Sequence, residues 1–185
     1  MEDVPTPDSL ALGEIVGPWR LEGHVGRGAY GVVYRARRAG HPQSEPVALK
    51  MALYPDDPRF AREVKLLTNI EHPAVPGFID RGWWRAEDGR VYPYVVMRWV
   101  EGRPLYDWAE LHTATSRQVL QVLARVAGAL EVTHTRGCLH RDVKGDNVLA
   151  RLKDGRVFLV DFGSSKYRGA ATLTEGVFPP GTPGY

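Results

Sequence analysis

Gly102 and Pro104 divide the chain into a β-rich part and a helix-rich part, and that division limits the folds open to it. Before the break, apolar and small residues alternate over Leu21, Gly23 and Val25, resume at Val32-Val33-Tyr34, and return from Val47 to Leu53. Residues 78–84 and 91–99 add a pair of such runs about the turn Glu87-Asp88-Gly89-Arg90. Runs of this kind, separated by turn residues, predict antiparallel strands. After the break the period lengthens. Thr115 and Gln118 have the spacing of a capping box, and Val119, Val122, Leu123, Val126 and Leu130 follow as the apolar stripe of a long helix that Gly137 ends. The fold class is therefore α+β, with a β-rich first part and a helical second part.

One helix interrupts the β-patterned part. From about Arg59 to Ile70, the residues Phe60, Val64, Leu67 and Ile70 share a face. At 3.6 residues per turn Glu63 lies on that same face, so its carboxylate is directed into the core and must meet a cation or lose its charge. Lys50, at the end of the apolar strand Val47-Ala48-Leu49, is the cation expected to meet it. Upstream, Gly26-Arg27-Gly28-Ala29-Tyr30-Gly31 has the spacing of a phosphate-binding turn. Because Val32-Val33-Tyr34 and not a helix follows, the segment reads as the tip of a β-hairpin lid and not as a dinucleotide-binding turn. Glycines there let backbone amides approach and donate to phosphate oxygens; a purely structural hairpin turn is the plain alternative.

Reactive groups gather in the second part. The run His140-Arg141-Asp142-Val143-Lys144-Gly145-Asp146-Asn147 sets a carboxylate, an ammonium and an amide close together in sequence. Asp161-Phe162-Gly163 follows a predicted hairpin, Asn147-Val148-Leu149 against Val157 to Val160, turning at Lys153-Asp154-Gly155-Arg156. An ionised carboxylate such as Asp142 can orient a hydroxyl and accept its proton, and Lys144 can offset nearby negative charge. Asn147 and Asp161 supply hard oxygen donors suited to magnesium.

In order, the glycine-rich segment, Val47-Ala48-Leu49-Lys50, the His140–Asn147 run and Asp161-Phe162-Gly163 resemble four motifs of the eukaryotic-like serine/threonine protein kinases found in bacteria. The resemblance runs from about Trp19 to the last residue. It implies a two-lobed, protein kinase-like fold: residues 1–17 a flexible leader, 18–97 the N-lobe, 98–102 the hinge, and 103–185 a partial C-lobe with catalytic loop and activation segment. It implies ATP-dependent phosphorylation of serine or threonine hydroxyls on protein substrates, with ATP and Mg2+ bound. Asp142 would accept the hydroxyl proton, Lys144 would meet the γ-phosphate, and Lys50 held by Glu63 would position the α- and β-phosphates. Asn147 and Asp161 would hold the metal. The ATP-binding residues are then Val25, Gly26, Gly28 and Gly31 at the lid, Val33, Ala48 and Leu149 about the adenine, Met97 behind it, and the backbone of Arg98 and Val100 on its edge. Phe78, Leu67, Phe162 and His140 would stack as an internal spine. The segment from Ser164 to Gly181-Thr182-Pro183-Gly184-Tyr185 resembles an activation segment, with Thr172, Thr174 and Thr182 as regulatory positions and Arg141 as the partner of a phosphorylated residue.

The chain departs from the family pattern in three places. Glu63 follows Lys50 by fewer residues than in many relatives, Arg98 stands where many have an acid, and the chain stops at Tyr185, before the helices that complete the second lobe. The last departure keeps a second reading open, a catalytically inactive, truncated fragment acting as a nucleotide-binding or interaction module. Small-molecule phosphotransferases share the architecture, but they usually lack the glycine triplet and the Gly-Thr-Pro-Gly-Tyr segment.

Composition excludes other classes. With 24 basic and 22 acidic residues the net charge is +2, and no basic footprint for nucleic acid is evident. The single cysteine, Cys138, forms no intrachain disulfide and no cysteine zinc site. The apolar runs are too short for a membrane segment, and Met1-Glu2-Asp3-Val4-Pro5 lacks the start of a signal peptide. A cytoplasmic location is the expectation. The histidines show no metal-ligand spacing, and the five tryptophans are expected to serve packing.

Overall fold

The computed structural model describes residues 5–151 and 154–167. The chain divides into two compact units, one built from Met1–Lys65 with Phe78–Trp99 and the other from Leu66–Gly77 with Val100–Tyr185.

The first unit is a six-stranded antiparallel sheet with one helix. Its strands are β1 (Ile15–Val16), β2 (Trp19–Arg27), β3 (Gly31–Arg38), β4 (Val47–Ala52), β5 (Phe78–Arg85) and β6 (Val91–Arg98), in the order β1-β2-β3-β4-β6-β5. Alternation sorts side chains to the two faces. Leu21, Val32, Tyr34, Ala36, Val47, Leu49, Met51, Tyr92, Tyr94 and Val96 form a closed apolar core. Helix α1 (Pro58–Leu67) buries Phe60, Glu63 and Val64. Its start is set by Asp57, whose carboxylate accepts from the Arg59 amide at 2.8 Å, with Pro58 in the first helical position, where a missing N–H costs nothing. The helix ends at Leu67, a turn earlier than the spacing predicts, and the chain then runs into His72-Pro73.

The flexible leader expected over residues 1–17 is not what residues 5–17 form. Leu10 and Val16 join the core, β1 pairs with β2, and the Tyr34 hydroxyl donates to the Pro7 carbonyl at 2.9 Å. Pro and Gly content suggested a loose segment, but two apolar side chains are enough to seat it on the sheet.

The second unit carries helices α2 (Leu105–His112) and α3 (Ser116–Thr135) and a 3-10 turn over Gly145–Asn147. A three-stranded sheet joins β7 (Gly102–Pro104), β9 (Val148–Arg151) and β10 (Val157–Leu159) in the order β10-β9-β7, and β8 (Cys138–Leu139) pairs with β11 (Lys166–Tyr167). The capping box forms: Thr115 N–H donates to Gln118 Oε1 at 2.9 Å, and the Gln118 amide donates to Thr115 Oγ1 at 3.4 Å. The expected hairpin is present, with Val148 opposite Leu159 and Ala150 opposite Val157. Gly102 and Pro104, read as a break, form a strand, because Ala150 and Leu149 of β9 pair with Arg103 and Pro104. Helix α2 is not apparent from the sequence, because its eight residues are too few to show a period; on it Trp108 is buried and stacks on His112, a packing role as expected.

The buried stripe of α3 is Val122, Val126, Ala129 and Thr133, turned towards β8 and β10. Of the residues expected on that stripe, Val119 and Leu123 are exposed instead, at 38% and 53%. The helix is apolar over more than one stripe, and tertiary packing chose the narrower one. Trp83, expected to serve packing, is also exposed, because β5 directs its odd-numbered residues outward.

Candidate active site

In the first unit the chemistry centres on Lys50. It lies on β4, paired on one side with Val33 of β3 and on the other with Val95 of β6, so its backbone has little freedom. Its ammonium donates to both carboxylate oxygens of Glu63, at 2.7 and 2.8 Å, and the two residues are 5% and 1% exposed. Burial of either charge alone would cost several kcal/mol, so each requires the other. Gly31 makes room for this arrangement. A Cβ there would stand 2.9 Å from the Met51 carbonyl and 3.0 Å from Lys50 Cε, so a side chain would displace the lysine stem.

The glycine-rich segment forms the tip between β2 and β3, closed by the Gly28 amide donating to the Gly31 carbonyl at 2.8 Å. Two side chains steady the tip. Arg27 pairs with Asp8 at 3.1 Å, and the Arg59 guanidinium lies 4.7 Å from the centre of the Tyr30 ring. Val33 and Ala48 are half-buried on the Lys50 side of the sheet, Val25 is about half exposed, and Arg98 is exposed at the end of β6, with Val100 buried in the second unit.

In the second unit the loop between β8 and β9 organises Asp142. Asn147 donates through one nitrogen to the Asp142 carbonyl at 2.8 Å and to its Oδ2 at 3.0 Å. Both partners are acceptors, which fixes the amide orientation and leaves the Asn147 oxygen on the other side. Lys144 Nζ stands 3.3 Å from the same Asp142 oxygen. His140 supports the loop from below, 1% exposed. The Asp142 amide donates to its Nδ1 at 3.3 Å, and its Nε2 lies 3.1 Å from the Val160 carbonyl. A carbonyl only accepts, so Nε2 carries the proton and Nδ1 offers its lone pair; one ring ties the start of the loop to the strand leading into Asp161.

Arg141 and Asp161 both adopt positive φ, +69° and +59°, conformations that cost non-glycine residues energy and hold only where neighbours enforce them. Phe162, 1% exposed, packs edge-on to His140 at 4.7 Å, and the Gly163 amide donates to Asp161 Oδ1 at 3.2 Å. Both contacts hold the exposed Asp161 through the residues that follow it. Leu149 is half-buried on β9. Asn147 and Asp161 fit magnesium in donor type, and among the described residues no group of three or more His, Cys, Asp or Glu side chains forms a denser metal site.

Thr172, Thr174 and Thr182 lie outside the described residues. Ser165, another hydroxyl of that segment, is buried, and its Oγ has no hydrogen-bond partner among the described residues. The roles of His140 as an acceptor for the Asp142 amide and of Val160 as its anchor were missed in the sequence, where only the reactive groups themselves carry a signal.

A sheet-borne lysine with a helical glutamate partner, together with a carboxylate held this way ahead of Asp-Phe-Gly, characterises the protein kinases. The chain belongs to that family, and residues 19–185 match the protein kinase domain. Among curated relatives it is 33% identical over 173 residues to the serine/threonine-protein kinase PknJ of Mycobacterium tuberculosis, covering 90% of this chain and 28% of that protein. It is 31% identical over 169 residues to PknH of the same organism, covering 89% of this chain and 26% of that one. The crystal structure of the Mycobacterium tuberculosis PknI kinase domain superposes with a TM-score of 0.65 at 31% identity, over 83% of this chain and 63% of that one. The chain thus spans little more than a quarter of these curated relatives. Among the described residues no helix is long and apolar enough to cross a membrane.

Proposed function

We propose that the protein transfers the γ-phosphoryl group of ATP to serine or threonine hydroxyls of protein substrates. The observation that carries this reading is the Asp142 carboxylate, fixed by Asn147 and set 3.3 Å from Lys144. The substrate hydroxyl oxygen forms the new bond to the γ-phosphorus as the bond to the β–γ bridging oxygen breaks. The hydroxyl proton passes to Asp142, ADP leaves with the bridging oxygen, and Lys144 offsets charge on the moving phosphoryl group. Lys50, kept extended by Glu63, serves the α- and β-phosphates. Asn147 and Asp161 would hold magnesium, which would neutralise phosphate charge when bound.

Val33 and Ala48, on the same side of the sheet as Lys50, are assigned with Leu149 to the adenine, Val25, Gly26, Gly28 and Gly31 to the lid, and the main chain of Arg98 and Val100 to the adenine edge. The outward Arg98 side chain supports a role for its backbone alone. Arg141 is assigned to a phosphorylated Thr172, Thr174 or Thr182; mass mapping of active protein that finds none of the three modified removes this assignment. The need for ATP, with the lone, buried Cys138, supports a cytoplasmic setting.

One observation favours the second reading, an inactive nucleotide-binding or interaction module. Val119, Leu120 and Leu123 are exposed along α3, an apolar surface of the kind that partners cover. Transfer of labelled γ-phosphate from Mg-ATP to a generic protein substrate separates the two. Label on serine or threonine that falls at least about a thousandfold in Asp142→Asn, from loss of the proton acceptor and its charge, supports the kinase. ATP binding without transfer by either chain supports the module.

A further inference from the structure

We infer that Tyr106 is a positioning residue for the Asp142–Asn147 loop, its ring standing where the side chain of residue 145 would otherwise be. This inference rests on the proposed phosphotransfer only for its effect on rate; the packing itself does not depend on it. Gly145 opens the 3-10 turn that delivers Asn147 to Asp142, and it is buried although it has no side chain to bury. A Cβ built on Gly145 would stand 2.3, 2.5 and 2.6 Å from three atoms of the Tyr106 ring. The ring therefore lies directly on the loop backbone. Lys144, which precedes the turn, provides no side-chain cap hydrogen bond for it, and the ring from α2 restrains the turn by packing. Yet Tyr106 is 50% exposed. A half-exposed aromatic with one face on a glycine adds little to a core, and what it fixes is the loop beneath it.

The consequence concerns the rate more than nucleotide binding. With the ring gone, the turn gains room at Gly145 and the Asn147–Asp142 hydrogen bond loses its rigid backing, while Lys50 and Glu63, carried by other elements, are untouched. The hydroxyl of Tyr106 has no part in this, so the ring alone should suffice.

Hydrogen–deuterium exchange of the segment 140–149, read together with steady-state phosphotransfer, tests it in the wild-type chain and in Tyr106→Ala, Tyr106→Phe, Gly145→Ala and Tyr106→Ala/Gly145→Ala. The expected result is faster exchange in Tyr106→Ala, wild-type exchange in Tyr106→Phe, and a kcat lowered roughly tenfold in Tyr106→Ala with the KM for ATP changed less than about twofold, as for a displaced proton acceptor. Gly145→Ala should also loosen the loop, because methyl and ring cannot share the space. The double variant should be no worse than Tyr106→Ala, since the methyl then enters vacated room. Unchanged exchange in Tyr106→Ala, or strictly additive effects of the two substitutions, would overturn the inference. If Tyr106→Ala does not fold, exchange in Gly145→Ala decides by itself, and wild-type exchange there overturns the inference. Absence of phosphotransfer in the wild-type chain would count against the proposed function alone, and the exchange comparison would still decide the role of Tyr106.

Discussion

Lys50 and Glu63 show how strongly one residue can depend on another. Their charges are nearly water-free and meet at 2.7 and 2.8 Å. Removing one strips the other of this partner in a low-dielectric surrounding, whereas removing both takes the two charges out together. Lys50→Met is therefore expected to lower stability by about 3–5 kcal/mol, and Lys50→Met/Glu63→Leu by clearly less. Urea unfolding of these two variants and of Glu63→Leu checks this; a double variant as unstable as the sum of the singles would show that the pair does not act as a unit. The sequence disclosed this pair because a carboxylate on an apolar helix face is anomalous. It did not disclose the Tyr106–Gly145 contact, because a tyrosine on a short helix and a glycine in a loop are each unremarkable until the fold stacks them.

Two elements carry separable, measurable contributions. The capping box that opens α3 closes two orphan amides with Thr115 and Gln118, and Thr115→Ala is expected to cost about 1 kcal/mol in thermal or denaturant unfolding. The N-terminal segment is tied to the sheet through Tyr34, whose hydroxyl reaches Pro7. Burial pushes the Tyr34 phenol above its ordinary value of 10.0, against an opposing hydrogen bond from the Leu10 backbone. The folded state thus holds this proton more tightly than the unfolded state. That stabilisation is complete below pH about 10 and declines as pH rises through the higher folded value. Tyr94 is shifted the same way by burial. Alkaline unfolding should accordingly steepen above pH 10 and become shallower in Tyr34→Phe; identical pH profiles would exclude Tyr34 as a source. Strand and helix existence in both units followed from period and turn residues. The seating of residues 5–17 did not, because Leu10 and Val16 are isolated apolar positions without a period.

Among the described residues, the apolar flank of α3 is one exposed surface that can be tested. Val119, Leu120 and Leu123 are exposed beside a helix face already buried at Val122, Val126 and Ala129. Enhanced fluorescence of the dye ANS is expected from the wild-type chain, and Leu120→Gln/Leu123→Gln should reduce it while changing stability by no more than about 0.5 kcal/mol per site. Equal dye binding in that variant would place the apolar surface elsewhere.

The reactive groups were readable from the chain alone because their chemistry depends on residue type at short separations. Asp142, Lys144 and Asn147 lie within six residues, and Asp161 is announced by its own tripeptide. The alternation that builds the β-sheet is likewise a local signal, repeated often enough to be unambiguous. Folding alone settled which of several apolar faces is buried on α3, that Gly102–Pro104 joins a strand, and that His140 anchors Asp142 to Val160. Each depends on groups distant in sequence competing for the same contact, and such a competition is resolved only when the chain has closed on itself.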